Sequence, residues 1–497
     1  MPHVVSLFAR ASQFADRTAV VEGSENYTYK RLLEDSARVA SALLGQKTDL
    51  EGDRVCFLAP PGYDYVAVQW GIWRAGGVAV PLATMHPRPE LEYTVDDSGS
   101  TVVVVHPELR ERVLELVQAR GLTLLTTIDA LAHATTMLPG TVPGRDAMIV
   151  YTSGTTSRPK GVVTTHANIE AQITALIQPW GWTEDDRILN VLPMHHVHGI
   201  INVLGCSLWA GACCEFLPFE AQAVWARLAK GDLTLFMAVP TIYSKLISAF
   251  RAASESDQKR FADGCRGLRL MISGSAALPV STLEAWRGIS GHTLLERYGM
   301  TEIGMALSNP LDGERVPGFV GTSLPSVEVR RVDANGVPMP DDEPCELQVR
   351  GPGVFRGYWN QPDATRECFV DGWFRTGDVT VVENGVYKIL GRSSVDIIKT
   401  GGYKVSALEI EEVLRTHPAI RQCAVVGVED DEWGERVGAC LVVEGDLALE
   451  PLREWAGDRL ASYKVPSLLL KLEYLPCNPM GKVQKPVIKR LFQEGAH

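Results

Sequence analysis

Short apolar runs rich in Val and Ile alternate with longer stretches whose apolar positions recur at helical spacing: RVCFLAP (54–60), YVAVQWGIWRAG (65–76), VAVPLA (78–83), a helical pattern beginning near Pro89, and TVVVVH (101–106). Alternation of that kind predicts βαβ units and a mostly parallel sheet, because parallel neighbours need a crossover, usually a helix, between them. The rhythm returns at DRILNVLPM (186–194), TLFMAVP (234–240) and GLRLMISG (267–274). The expected fold class is therefore α/β, with one large N-terminal body of βαβ layers. From about residue 326 the pattern changes to short strands with turn signals, among them Asn335-Gly336 and Asn384-Gly385, which predicts an antiparallel β-subdomain over about 326–391. After Gly391-Arg392 a compact segment has strands and helices of its own. The expected division is an N-terminal domain 1–391 and a small α+β C-terminal domain 392–497.

Composition narrows the classes. The 497 residues, 45% of them apolar, allow about two to four domains and a large buried core. No apolar stretch approaches the roughly 20 residues that cross a bilayer. A net charge of −12 provides no field to gather a polyanion, so nucleic acid is not an expected partner and any phosphate must be held locally. The ten cysteines form no CxxC pair and no signal peptide is evident at Met1, so they read as reduced thiols of a cytoplasmic protein. Arg10 and Arg17 raise the alternative of a short organelle presequence, which Asp16 and the strand pattern that follows at once oppose.

The strongest chemical signal is MIVYTSGTTSRPKGVVTTHAN (148–168). An apolar strand is expected to end at Tyr151, a loop of glycines and hydroxyl residues to follow, and a helix to begin near Thr165. Gly154 lets backbone N–H groups approach an anion; Thr152, Ser153, Thr155 and Thr156 add hydroxyl donors; Lys160 adds a point charge. This is a phosphate loop, but not of the GxxxxGK[ST] form used by nucleotide hydrolases.

TSGTTSRPKG resembles the signature of the adenylate-forming enzymes, the superfamily of acyl-CoA synthetases, peptide-synthetase adenylation domains and firefly-type luciferases. Six further motifs stand in the expected order: LPMHHVHG (192–199), SGSAALP (273–279), RYGMTE (297–302), WFRTGD (373–378), GRSSVDIIKTGGYKV (391–405) and NPMGKVQK (478–485). The resemblance covers essentially the whole chain. It implies a two-step reaction in which a carboxylate and MgATP give an acyl-adenylate and pyrophosphate, after which a mobile C-terminal domain rotates and the thiol of CoA displaces AMP. ATP, Mg²⁺ and CoA are thus the implied small molecules. No serine-bearing carrier segment is visible, which points to free CoA as the acceptor.

The residues within these motifs have separate physical readings. Tyr298 offers an aromatic face for adenine, Thr301 a hydroxyl for a phosphate oxygen, and Glu302 a carboxylate for Mg²⁺; a buried tyrosine beside a helix-capping Thr-Glu is the plain alternative. Asp378, ending a strand, is suited to accept hydrogen bonds from ribose hydroxyls, though Gly377-Asp378 also suits an ordinary turn. The resemblance assigns Asp378 and Arg392 to the ribose, and Ser275 and Ala276 to the nucleotide. It makes Lys482 the lysine that stabilises charge while the substrate carboxylate attacks the α-phosphorus, and it puts Lys399 on the other face of the small domain, for the thiol step. Gly401 and Gly402, followed by Tyr403, permit the close passage of a slender ligand, as in the family's pantetheine tunnel. Ser394 occupies the hinge, where many relatives carry Asp.

Arg297 stands before the motif tyrosine, where most relatives have a small or amide-bearing residue facing the acyl pocket. A guanidinium there is costly beside a fatty chain but matches a second carboxylate through a bidentate fork. With HHVHG, FMAVPTIYSKL and MALSNPLDGERVPGFVG, this arrangement is similar to the malonyl-CoA synthetases. The alternative is that Arg297 turns outward or pairs with Glu296 or Glu302. His196 reads as a gating or pocket residue and His198 as a donor in the same wall, although paired histidines in a strand-to-helix loop often only cap backbone groups. Ser273 and Met305 would shape the pocket floor, and Met305 suits plain core equally well. The expected activity is ATP-dependent ligation of malonate, with methylmalonate not distinguishable, to CoA. A short-chain monocarboxylate or aryl-CoA ligase, and a non-catalytic nucleotide-binding relative, are the alternatives.

Overall fold

A computed structural model of the chain describes residues 6–152, 159–333, 335–400, 403–430, 432–477 and 482–495. Two mainly parallel sheets build the large body. The first runs, in spatial order, Thr322–Ser323, Gly304–Ser308, Leu295–Met300, Leu270–Ser273, Leu235–Ala238, Arg187–Asn190, Cys213–Phe216, Thr18–Glu22 and Glu25–Thr28. Its interior pairings are parallel and its two ends antiparallel. The second runs Gly357–Tyr358, Lys160–Thr165, Asp146–Thr152, Val78–Pro81, Arg54–Leu58, Val102–Val105 and Thr123–Thr126. Helix Tyr63–Arg74 is buried at every position except Asp64 and Arg74, the fate of a helix that is apolar all round, and it contributes to one continuous core reaching from Leu7 to Leu324.

The phosphate-loop region departs from expectation in one respect. Lys160–Thr165 is a strand, paired antiparallel with Asp146–Thr152, so the Gly- and hydroxyl-rich loop closes a hairpin rather than leading directly into a helix. The β-branched Val-Val-Thr-Thr run suits a strand, and the pairing with Asp146–Thr152 fixes it as one. Helix His166–Ile177 starts only afterwards, where Thr165 and Asn168 form a capping box.

Glu328–Val332, Cys345–Arg350, Trp373–Glu383 and Phe369–Val370 form an antiparallel sheet, with Val386–Arg392 also paired to Trp373–Glu383. Asn384 and Gly385, with φ of 52° and 80°, make the tight two-residue hairpin that their sequence predicts. Asn335-Gly336 instead lies in a small turn closed by the Val332–Pro338 bridge, and the chain continues to Cys345 before pairing resumes. Beyond it, Tyr403–Ser406, Ile397–Thr400, Gly434–Val443, Ile420–Asp430 and Leu468–Lys471 form a further sheet with its own two hydrophobic clusters. Among the described residues no helix is long and apolar enough to cross a membrane.

Candidate active site

The chemistry gathers at the carboxyl ends of adjacent parallel strands, where ligands of open α/β sheets bind. Leu235–Ala238, Leu270–Ser273 and Leu295–Met300 lie side by side, with Ala238 opposite Ser273 and Ser273 opposite Glu296. One residue further along, Arg297 is only 5% exposed. Its Nε and Nη2 have no hydrogen-bond partner among the described residues, and burial pulls its pKa well below the usual guanidinium value. A Cβ placed on Gly274 would come within 2.4 Å of the Arg297 Cζ, so the guanidinium lies directly on the glycine backbone. Neither acid named as an alternative partner takes it: Glu296 accepts from the N–H of Gly318 at 2.8 Å, and Glu302 accepts from the Tyr358 hydroxyl at 2.9 Å.

Other buried polar atoms around it are equally unsatisfied. Ser273, 1% exposed, has an unpartnered Oγ, and the Nε2 atoms of His195, His196 and His198 have no partner among the described residues. His198 opens a π-helical turn, His198–Gly205, of the kind frequent at functional sites. Its Nδ1 lies 3.2 Å from the Ser275 hydroxyl, and Ser275 itself holds a left-handed backbone, φ 70°. Burial and the Arg297 charge push the His198 pKa far down; burial and His86 bring His196 to about 4. Both imidazoles are therefore neutral near pH 7, able to donate through one nitrogen without opposing the arginine. Buried donors without acceptors cost about 1–3 kcal/mol each, and a cluster of them around a guanidinium is a place prepared for an anion.

RYGMTE forms a hairpin, Leu295–Met300 with Gly304–Ser308, so Thr301 and Glu302 sit at its turn and cap no helix. Tyr298 and Met305 lie on the arms. Met305 is buried, belongs to the main core and packs on Gly299, whose added Cβ would meet its Cε at 2.5 Å. The Tyr298 hydroxyl donates to Asp378 Oδ2 at 2.5 Å and Arg392 Nε to Asp378 Oδ1 at 3.2 Å, so the buried carboxylate is fixed from two sides. Glu302 is buried, which raises its pKa, and Tyr358, whose hydroxyl it accepts from, has the Lys160 ammonium 4.9 Å over its ring. Thr152, at the strand end, places its hydroxyl 3.4 Å from the Lys160 carbonyl. Thr301 is half-buried, and Ser275 and Ala276 are exposed in the loop before helix Val280–Ser290. Ser153, Gly154, Thr155, Thr156, Gly401 and Gly402 lie outside the described residues.

On the small domain, Lys399 is exposed on strand Ile397–Thr400, its backbone N–H donating to Glu435 Oε2 at 2.9 Å. Tyr403, half-exposed, stacks on Tyr463 with centroids 4.3 Å apart. Lys482 is exposed beside the bridge between Cys477 and Val483, just before helix Lys485–Gln493. Ser394 is exposed just after strand Val386–Arg392. Asp396 Oδ2 accepts from the Arg392 N–H at 3.0 Å, while Lys485 bridges Asp396 at 2.6 Å and Glu411 at 2.8 Å in a nearly buried cluster. Asp396, Lys485, Tyr358 and Gly274, which contact Arg392, Asp396, Glu302 and Arg297 respectively, are not singled out by the sequence pattern. Lys485, three positions after Lys482 in PMGKVQK, is the one with a local signal.

Residues 7–359 match the family model described as AMP-binding enzyme, and residues 409–482 match the AMP-binding enzyme C-terminal domain. The chain is 48% identical to the mitochondrial malonate–CoA ligase ACSF3 of Mus musculus, over 99% of this chain and 91% of that protein. It superposes on the ATP-bound crystal structure of MatB from Rhodopseudomonas palustris with a TM-score of 0.91 at 33% identity, covering 100% of both chains. The apo crystal structure of the same MatB gives a TM-score of 0.81 at 32% identity with the same coverage.

Proposed function

Because the chain belongs to the family of AMP-binding enzymes, we propose that it joins malonate to CoA at the expense of ATP, through a malonyl-adenylate. One carboxylate oxygen of malonate attacks the α-phosphorus and pyrophosphate leaves. The CoA thiolate then attacks the adenylate carbonyl, AMP departs, and malonyl-CoA remains. Asp378, held by Tyr298 and Arg392, accepts from the ribose hydroxyls; Lys160 and the hydroxyl loop from Thr152 to Thr156 take the phosphates, with Thr301, Ser275 and Ala276 alongside. Glu302 with phosphate oxygens suits Mg²⁺, which keeps few protein ligands and would restore to this buried carboxyl the charge that burial disfavours. Bound there, it would supply neutralisation of the pyrophosphate charge. Lys482 stabilises the first transition state; after the domain 392–497 rotates against 1–391 about Ser394, Lys399, Tyr403 and Gly401-Gly402 serve the thiol step, with His196 at the thiol's entry.

The buried Arg297 guanidinium, whose Nε and Nη2 have no partner among the described residues, carries the substrate assignment. A malonate whose reacting end meets the α-phosphorus has its other carboxylate left to bind, and Arg297 with the Ser273 hydroxyl and His198 Nε2 offers the missing acceptors their donors. Met305 bounds the same pocket. A monocarboxylate would leave these donors unsatisfied, while the extra methyl of methylmalonate would be discriminated by only about 1–3 kcal/mol. The ten cysteines carry no disulfide, in keeping with a reducing compartment, for which we take the cytoplasm, whereas the mouse relative is named as mitochondrial. The direct test is malonate-dependent exchange of labelled pyrophosphate into ATP without CoA. Exchange that needs malonate, and thioester that appears only when CoA is added, supports the two-step reading; thioester formation without exchange refutes it.

A further inference from the structure

We propose that Glu412 is a positioning residue that holds the small domain in the orientation for adenylate formation. This rests on the two-step reading above. Glu412 lies on helix Ala407–Leu414 of the small domain, and its Oε2 accepts a hydrogen bond from the backbone N–H of Val280 at 3.1 Å, across 132 positions of sequence. Val280 is the first residue of helix Val280–Ser290 in the large body, a helix without a side-chain cap of its own. The carboxylate thus satisfies one orphaned N–H and rests on the positive end of the helix dipole. Arg415 holds the side chain in place, its Nη1 donating to the second oxygen, Oε1, at 2.6 Å. The partner helix begins immediately after the segment 273–279, a strand end and loop that supply Ser273, Gly274 and Ser275 to the pocket. The small domain therefore docks where the pocket wall ends.

Rotation about the hinge must break this contact, because it joins one group from each domain. The arrangement that contains it superposes more closely on ATP-bound MatB than on the apo form. If adenylation proceeds from the docked orientation and thioester formation from another, weakening the docked orientation lowers the first half-reaction rate relative to the second. Losing a charged acceptor at a helix N-terminus should move the docking equilibrium by about 5- to 30-fold.

The experiment measures both half-reactions on the full chain by single turnover: adenylate from malonate and MgATP without CoA, then thioester after CoA is added to the enzyme–adenylate complex. Glu412→Ala removes the acceptor. Val280→Pro removes the donor at a helix position that tolerates proline, and Pro279 with ψ 133° already has the extended backbone that must precede a proline. Each variant should lower the adenylation-to-thioester ratio about 5- to 30-fold, and the double variant should do no more than either, since both delete one interaction. Glu412→Gln, which keeps an acceptor, should fall between. An unchanged ratio in Glu412→Ala and Val280→Pro, or effects that simply add, would overturn the assignment. The unsubstituted enzyme separates the two readings: if it makes no malonyl-adenylate, the functional reading falls and the latch with it; if it does and the ratio is unmoved, the latch alone falls.

Discussion

Replacing Arg297 with methionine removes the charge while keeping a flexible apolar side chain of similar length. In the malonate complex the distal carboxylate would then be buried without its main partner. A hydrogen bond to a charged group contributes about 1.5–3 kcal/mol, and breaking a buried pair by removing one partner costs about 3–5 kcal/mol. The expected fall in kcat/KM for malonate is therefore about 10²- to 10⁴-fold. Propionate has a methyl where malonate has a carboxylate, so its kcat/KM should hold or rise, because the guanidinium that gained nothing from it is gone. The KM for ATP should stay within about twofold, since Asp378, Tyr298 and Arg392 are untouched. The unliganded variant no longer buries an unpaired guanidinium, so its Tm should be equal to or above that of the parent. Pyrophosphate release with each acid, together with a thermal melt, reads all of these. Equal losses on malonate and propionate, or a lowered Tm, would mean that Arg297 serves the fold and not the acid.

Other substitutions probe the remaining parts. Lys482→Ala should abolish adenylate formation while leaving thioester formation from supplied malonyl-adenylate, and Lys399→Ala should do the reverse; parallel losses in both halves would remove these roles. Gly274→Ala would put a methyl 2.4 Å from the Arg297 Cζ, so the KM for malonate should rise at least tenfold with the KM for ATP unmoved, and an unaffected malonate KM would show that the guanidinium has room to shift. Glu296 is held by burial at a pKa of about 8, above its unfolded value, so the protonated form is favoured in the folded protein and stability is lost as pH rises from about 4.5 through 8. Glu296→Gln lacks that loss, so its Tm advantage over the parent should grow with pH and level off above about pH 8; a gap independent of pH would contradict the burial argument.

Much of the fold and of the site is legible in local sequence patterns. The alternating runs from Arg54 to His106 and the Asn384-Gly385 turn describe elements whose geometry is set within a few residues. Thr165 is identifiable as a helix start because its partner Asn168 is three positions away. Arg297 stands out because it precedes the motif tyrosine, where most relatives have a small or amide-bearing residue. The features that local pattern does not reveal depend on partners brought together only by the fold: Tyr358 on Glu302 across 56 positions, Lys485 on Asp396 across 89, and Glu412 on Val280 across 132. Thr301-Glu302 suits a helix cap by composition, but the pairing of Met300 with Gly304 turns it into a hairpin. The unexpected strand Lys160–Thr165 has the same origin: its hairpin partner Asp146–Thr152 fixes it as a strand, whereas its own short run leaves helix and strand open.

Selection of a dicarboxylate by a buried, unpaired guanidinium is tested most directly by the initial rate of CoA-dependent AMP formation with malonate, methylmalonate, succinate, acetate, hexanoate and benzoate at one fixed, sub-saturating concentration. Malonate leading every monocarboxylate by at least tenfold, a difference of about 1.4 kcal/mol in transition-state binding, is the expected result. A monocarboxylate that matches or exceeds malonate would contradict it.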